Sequence, residues 1–84
     1  MVRKDVVVQL KSGLDTRPVA MLVQVASKYA SETFLETSSK RVNAKSIMGM
    51  MTLGLIPGEE VTIVANGGDE EQALGEIEAY LTSV

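Results

Sequence analysis

Two short stretches of the chain hold residues whose types and spacing could do chemistry. The first is Asn43-Ala-Lys-Ser-Ile-Met-Gly49, in which Ser46 follows a polar lead and precedes Ile47, Met48, Met50 and Met51. A serine in that setting reads as the N-cap of a short apolar helix. The first N–H groups of such a helix lack internal partners. They point toward the Ser46 hydroxyl and would also hold an anion placed on it. Two compatible readings follow, a capping serine and a phosphorylated one. The second stretch is Ser12-Gly-Leu-Asp-Thr-Arg-Pro18, with Asp15 and Arg17 two residues apart. Arg17 suits bidentate contact with phosphate or carboxylate, but it is equally a solvated first-turn cation or a partner for Asp15. The pair alone supplies no nucleophile with its base, and no metal-ligand cluster is visible, so neither an enzyme nor a metal or cofactor site is expected.

The 84 residues suffice for one small domain, taken here as 1–84. The chain contains no cysteine, so no disulfide or thiolate site supports the fold. A 45% hydrophobic content with only Tyr29, Phe34 and Tyr80 as aromatics predicts an aliphatic core. No apolar run approaches the roughly 18 residues of a membrane span, and Met1–Val6 lacks a signal-peptide apolar region, so a cytoplasmic protein is expected. Charge is split along the sequence. Residues 1–45 hold eight basic and four acidic residues, a sum of +4, whereas residues 46–84 hold seven acidic and no basic ones, a sum of −7. Ser46 sits at the seam. A basic side, if the split survives folding, would suit an acidic protein partner. A net acidic chain without a dense Lys/Arg run argues against direct nucleic-acid binding.

The elements that must position these residues are legible in order. Asp5–Leu10 reads as a strand by its β-branched content, followed by a loop hinged at Gly13. Thr16 caps a helix with Arg17 and Pro18 in its first turn, and Val19, Leu22, Val23, Ala26 and Tyr29 or Ala30 form its apolar stripe. Glu32–Thr37 and Lys40–Asn43 read as a hairpin, then comes a helix from Ile47 to Leu53, with Met50 and Leu53 expected to be buried. Glu60–Ala65 is a mostly buried strand. Asp69 opens the last helix in a capping-box-like start with Gln72, and Ala73, Leu74, Ile77, Tyr80 and Leu81 share its apolar face. The order βαββαβα implies an α+β fold: a four-stranded, mainly antiparallel sheet with three helices on one face.

Both chemical stretches resemble a known family. Ser12–Pro18 is similar to the active loop of HPr, the phosphocarrier of the bacterial sugar phosphotransferase system, and Asn43–Gly49 to the regulatory serine motif of HPr from Gram-positive bacteria. Val6–Gly13 and the spacing of every element match as well, so the resemblance covers essentially the whole chain and implies the open-faced β-sandwich of that family. One departure outweighs the agreements. The family's phosphate-carrying histidine is replaced by Asp15, and the chain contains no histidine at all, which removes phosphohistidine chemistry. Thr16 also stands where the family usually has alanine. The combination resembles the Crh, or catabolite-repression, branch, which keeps the serine and lacks the histidine, although that branch commonly has glutamine at the position of Asp15.

The resemblance implies roles residue by residue. Ser46 would be phosphorylated by HPr kinase/phosphorylase, and the phosphoprotein would act as corepressor of a catabolite control repressor of the LacI type. Ile47, Met48 and Met51 would form a partner-binding patch with Arg17; several methionines on a short helix make a deformable contact surface. Asp15 and Arg17 would be a degenerate active site. Asp15 is open to four readings: a neutral replacement, a permanent mimic of phosphohistidine charge, an acyl-phosphate acceptor served by enzyme I, or a laboratory replacement. A binding module for a metabolic enzyme that works without phosphorylation is a further alternative.

Overall fold

The structure is a computed structural model that describes residues 1–10, 16–54 and 56–83, without the side chains of Thr16 and Arg17. Its elements run β1 (Val2–Val7), α1 (Thr16–Ser27), β2 (Glu32–Glu36), β3 (Arg41–Asn43), α2 (Ile47–Met51), β4 (Glu60–Asn66) and α3 (Glu70–Leu81). The strands form one sheet in the order β1-β4-β2-β3, and every neighbouring pair is antiparallel.

Alternation along the strands decides which face the helices cover. Val6, Val61, Ile63, Ala65, Thr33 and Leu35 point into the core with Val8, just beyond β1. There they meet Val19, Leu22 and Ala26 of α1, Met50 of α2, and Ala73, Ile77 and Leu81 of α3. The other face is polar and open. On it Arg3 and Arg41 both reach Glu36, at 2.7 and 3.4 Å, and Arg41 lies 4.0 Å over the Phe34 ring. Val64, paired with Arg3 on one side and Phe34 on the other, is buried on this otherwise wet face.

Three expectations shift. β1 is Val2–Val7 rather than Asp5–Leu10. Arg3, Lys4 and Asp5 look like a polar lead, yet all three are paired to β4, and their charges find Glu36, Glu78 and Thr62. Beyond the strand, Val8 and Gln9 still donate to the Glu59 and Leu81 carbonyls. Second, α2 stops at Met51. The Thr52 hydroxyl turns back to the Gly49 carbonyl at 2.6 Å, and Gly54 follows with φ +60°. Leu53 therefore leaves the helix and is half-buried against the core, whereas Met50 is fully buried as expected. Third, α1 already includes Thr16, so that residue is the first of the helix and not its cap. The hinge at Gly13 lies outside the described residues.

Candidate functional site at the start of α2

The chain enters α2 through a tight turn. Ala44 is fully buried and donates its N–H to the Thr33 carbonyl of β2. The Asn43 side-chain oxygen accepts from Lys45 N–H at 2.8 Å, and the Asn43 carbonyl from Ser46 N–H at 3.0 Å. This fixes Ser46 in an extended conformation (φ −111°, ψ 111°), where its hydroxyl accepts the Gly49 N–H at 3.2 Å. Ser46 is the cap that its sequence setting implies. It is half-buried, with its hydroxyl at the edge of the helix.

Two lysines hold the ends of this short helix. Lys45 Nζ donates to the Tyr29 carbonyl at 2.7 Å, just past the end of α1, and Lys40 Nζ to the Thr52 carbonyl at 2.8 Å, where a positive charge suits the helix C-terminus. Around them the sequence from Thr37 to Gly58 holds no acidic residue. Elsewhere the two halves of the sequence meet in ion pairs, Lys4 with Glu78 and Lys28 with Glu76. The segment that carries α2 thus keeps Lys40, Arg41 and Lys45 with no acidic residue of its own.

The apolar side chains of α2 divide cleanly. Met50 is buried, whereas Ile47, Met48 and Met51 are 45%, 83% and 48% exposed. Ser46 and these three side chains thus share one short segment. The sequence reading missed Met21, 47% exposed on α1, which packs beside α2. Its signal was available: Met21 is an apolar residue off the stripe of Val19, Leu22, Val23 and Ala26. Asp15 lies outside the described residues, as does the side chain of Arg17. The segments flanking residues 11–15 are both tied to the last turn of α3. Gln9 N–H donates to the Leu81 carbonyl, and the Tyr80 hydroxyl to the Pro18 carbonyl at 3.2 Å; burial raises the pKa of that hydroxyl.

The start of α3 corrects another expectation. Asp69 is the N-cap residue but makes no side-chain cap, so no capping box with Gln72 forms. Its carboxylate reaches instead to the segment before β2. It accepts the Ala30 and Ser31 N–H groups, each at 3.0 Å, and the Ser31 hydroxyl. These bonds favour the ionised form and hold its pKa below the usual carboxylate value, the Ser31 hydroxyl contributing most. Glu70 takes over nearby, accepting Gly67 N–H at 3.1 Å, and its pKa is lowered chiefly by that bond.

Comparison with known proteins agrees with this architecture. A family described as "PTS HPr component phosphorylation site" matches residues 2–83. The HPr-like protein Crh of Bacillus subtilis is 51% identical over 81 residues, covering 96% of this chain and 95% of that protein. The HPr-like protein Crh of Halalkalibacterium halodurans is 46% identical over 81 residues, covering 96% of each. The crystal structure of the phosphocarrier protein HPr from Bacillus anthracis superposes with a TM-score of 0.92 at 46% identity, covering 95% of both chains.

Proposed function

This chain belongs to the HPr family, and from that premise we propose that it is a regulatory member phosphorylated on Ser46 by HPr kinase/phosphorylase. In that state it docks through Ile47, Met48 and Met51 on a LacI-type catabolite control repressor and serves as its corepressor in carbon catabolite repression. It works in the cytoplasm as a binding protein, not an enzyme, and the repressor rather than this chain contacts DNA. Arg17 contributes to the same docking surface.

One observation carries the reading: the Ser46 hydroxyl caps α2 within an acid-free segment that also presents three exposed apolar side chains. A phosphate there adds about −1.5 to −2 charge at neutral pH, at the amide N–H end of α2 and in a segment without acidic residues. The helix already caps at Ser46, so the change is local and is read by a partner. The absence of histidine removes the family's carrier chemistry and leaves the serine as the residue to modify.

The test is intact-mass spectrometry after incubation with HPr kinase/phosphorylase and ATP, with peptide mapping. One phosphate on the peptide carrying Ser46, none in Ser46→Ala, and repressor binding only by the phosphoprotein are expected. A phosphate that survives in Ser46→Ala sinks the assignment.

A further inference from the structure

Gly49 occupies the middle of the five-residue helix α2, where glycine is a poor choice. Its backbone gives no reason for it. Among the described residues the glycines with positive φ are Gly54, Gly58 and Gly67, not Gly49. Space gives the reason. A Cβ on residue 49 would stand 3.3 Å from Ser46 Oγ, 3.5 Å from Ser46 Cβ and 3.6 Å from Val42 Cβ. The first contact is closer than most Cβ contacts, so Ser46 Oγ would have to give by a few tenths of an ångström, whereas the contact with Val42 is ordinary packing. The same residue donates its N–H to Ser46 Oγ at 3.2 Å. A methyl group here would turn the hydroxyl off that N–H or tilt the first turn of α2.

We infer that Gly49 is a positioning residue for phosphoryl transfer to Ser46, its missing side chain leaving the serine oxygen where a phosphoryl donor can meet it. This rests on the Ser46 reading above. In the transfer, the bond from Ser46 Oγ to the γ-phosphorus of ATP forms as the bond from that phosphorus to the β,γ-bridging oxygen breaks. ADP leaves, and the hydroxyl proton passes to a base of the kinase. Such displacements need the attacking oxygen in line, and a misplacement of about 1 Å can cost about 100-fold.

The experiment compares phosphorylation kinetics of the wild type and Gly49→Ala with HPr kinase/phosphorylase and ATP. The variant should lose about tenfold or more in kcat. KM should stay close to that of the wild type, because Ile47, Met48 and Met51 are untouched. Its melting temperature should stay close to that of the wild type, since the gain of about 1 kcal/mol from alanine offsets the weakened cap. A second measurement needs no kinase. Gly49→Ala should raise the melting temperature more in a Ser46→Ala background, where Oγ is gone, than beside Ser46. Equal kcat in the two proteins, or equal thermal gains in the two backgrounds, overturns the inference and leaves the Ser46 assignment standing. A wild-type protein that takes no phosphate on Ser46 overturns both.

Discussion

Two helices of this molecule begin with the same local signal and use it in opposite ways. Ser46 before α2 and Asp69 before α3 both place a side-chain oxygen at the N-cap. Ser46 spends its oxygen on its own helix, three residues on. Asp69 spends its carboxylate on Ala30 and Ser31, 39 and 38 residues away. The first arrangement closes locally and keeps its hydroxyl at the edge of an exposed apolar segment. The second is a clasp between distant parts of the chain. A cap that makes only local bonds can be modified without dismantling the fold, whereas a clasp cannot. Phosphorylation chemistry fits the start of α2 for that reason.

The glycines beside the two caps give the sharpest way to break this contrast. Gly67 has φ +155°, and a Cβ there would stand 2.7 Å from the Ser31 Cα, a backbone atom that cannot step aside. Gly67→Ala should therefore destabilise by roughly 2–4 kcal/mol, combining backbone strain with overpacking. For a chain of this size each kcal/mol lowers the melting temperature by about 4–8 °C. Gly49→Ala should leave the melting temperature close to that of the wild type, because alanine's helix propensity offsets the weakened Ser46 cap. Thermal denaturation followed by circular dichroism reads both. Equal losses at the two positions would mean that the clasp and the cap carry similar weight, contrary to the geometry.

A smaller effect sharpens the comparison at Ser46 itself. Ser46→Ala removes one capping bond and should cost about 1 kcal/mol, within the usual range of 0.5–2 for such changes. Urea denaturation should show a lower midpoint with an unchanged slope, the mark of a stability change without loss of compactness. Phosphate uptake and the associated binding would vanish in the same protein. A loss beyond about 3 kcal/mol would show that Ser46 is a structural clasp like Asp69, outside the range of a local cap.

What the sequence made legible follows the same division. Signals that close within a few residues were readable: the Ser46 cap, the α3 stripe of Ala73, Ile77 and Leu81, and the Glu32–Asn43 hairpin. Signals that close across the chain were not. Arg3, Lys4 and Asp5 resemble a polar lead until β4 supplies the pairing partners, so β1 starts earlier than its β-branched run suggests. Asp69 followed by Gln72 looks like a capping box, but no local pattern announces Ser31 as the competing donor. The early end of α2 is the exception, a local contact in which the Thr52 hydroxyl satisfies the Gly49 carbonyl, a side-chain choice that periodicity does not report. At the start of α2, Ser46 caps the helix as its setting implies, and Ile47, Met48 and Met51 are exposed. Met21 was missed although its position off the α1 stripe marks it as an exposed apolar residue.

The mildest test of the contrast is acid titration of stability, because one cap titrates and the other does not. Asp69 has a folded pKa below the ordinary value near 3.9, set first by the Ser31 hydroxyl and then by the Ala30 N–H. A depressed carboxylate pKa means that the unfolded chain binds the proton more readily. The stabilisation is complete above the unfolded pKa and is lost as the pH falls through the folded one. Asp69→Asn should therefore be less stable than the wild type at pH 6, and the gap should narrow as the pH falls toward 2. Part of the acid sensitivity should remain in the variant, because Glu70 is depressed in the same direction by the Gly67 N–H. Ser46→Ala should differ from the wild type by a constant amount over the same range, since neither serine nor alanine titrates there. Denaturation midpoints of the three proteins between pH 6 and pH 2 decide the matter. A gap for Asp69→Asn that stays flat with pH would show that the carboxylate's charge contributes nothing to the clasp, leaving hydrogen-bond geometry alone to hold α3 to the segment before β2.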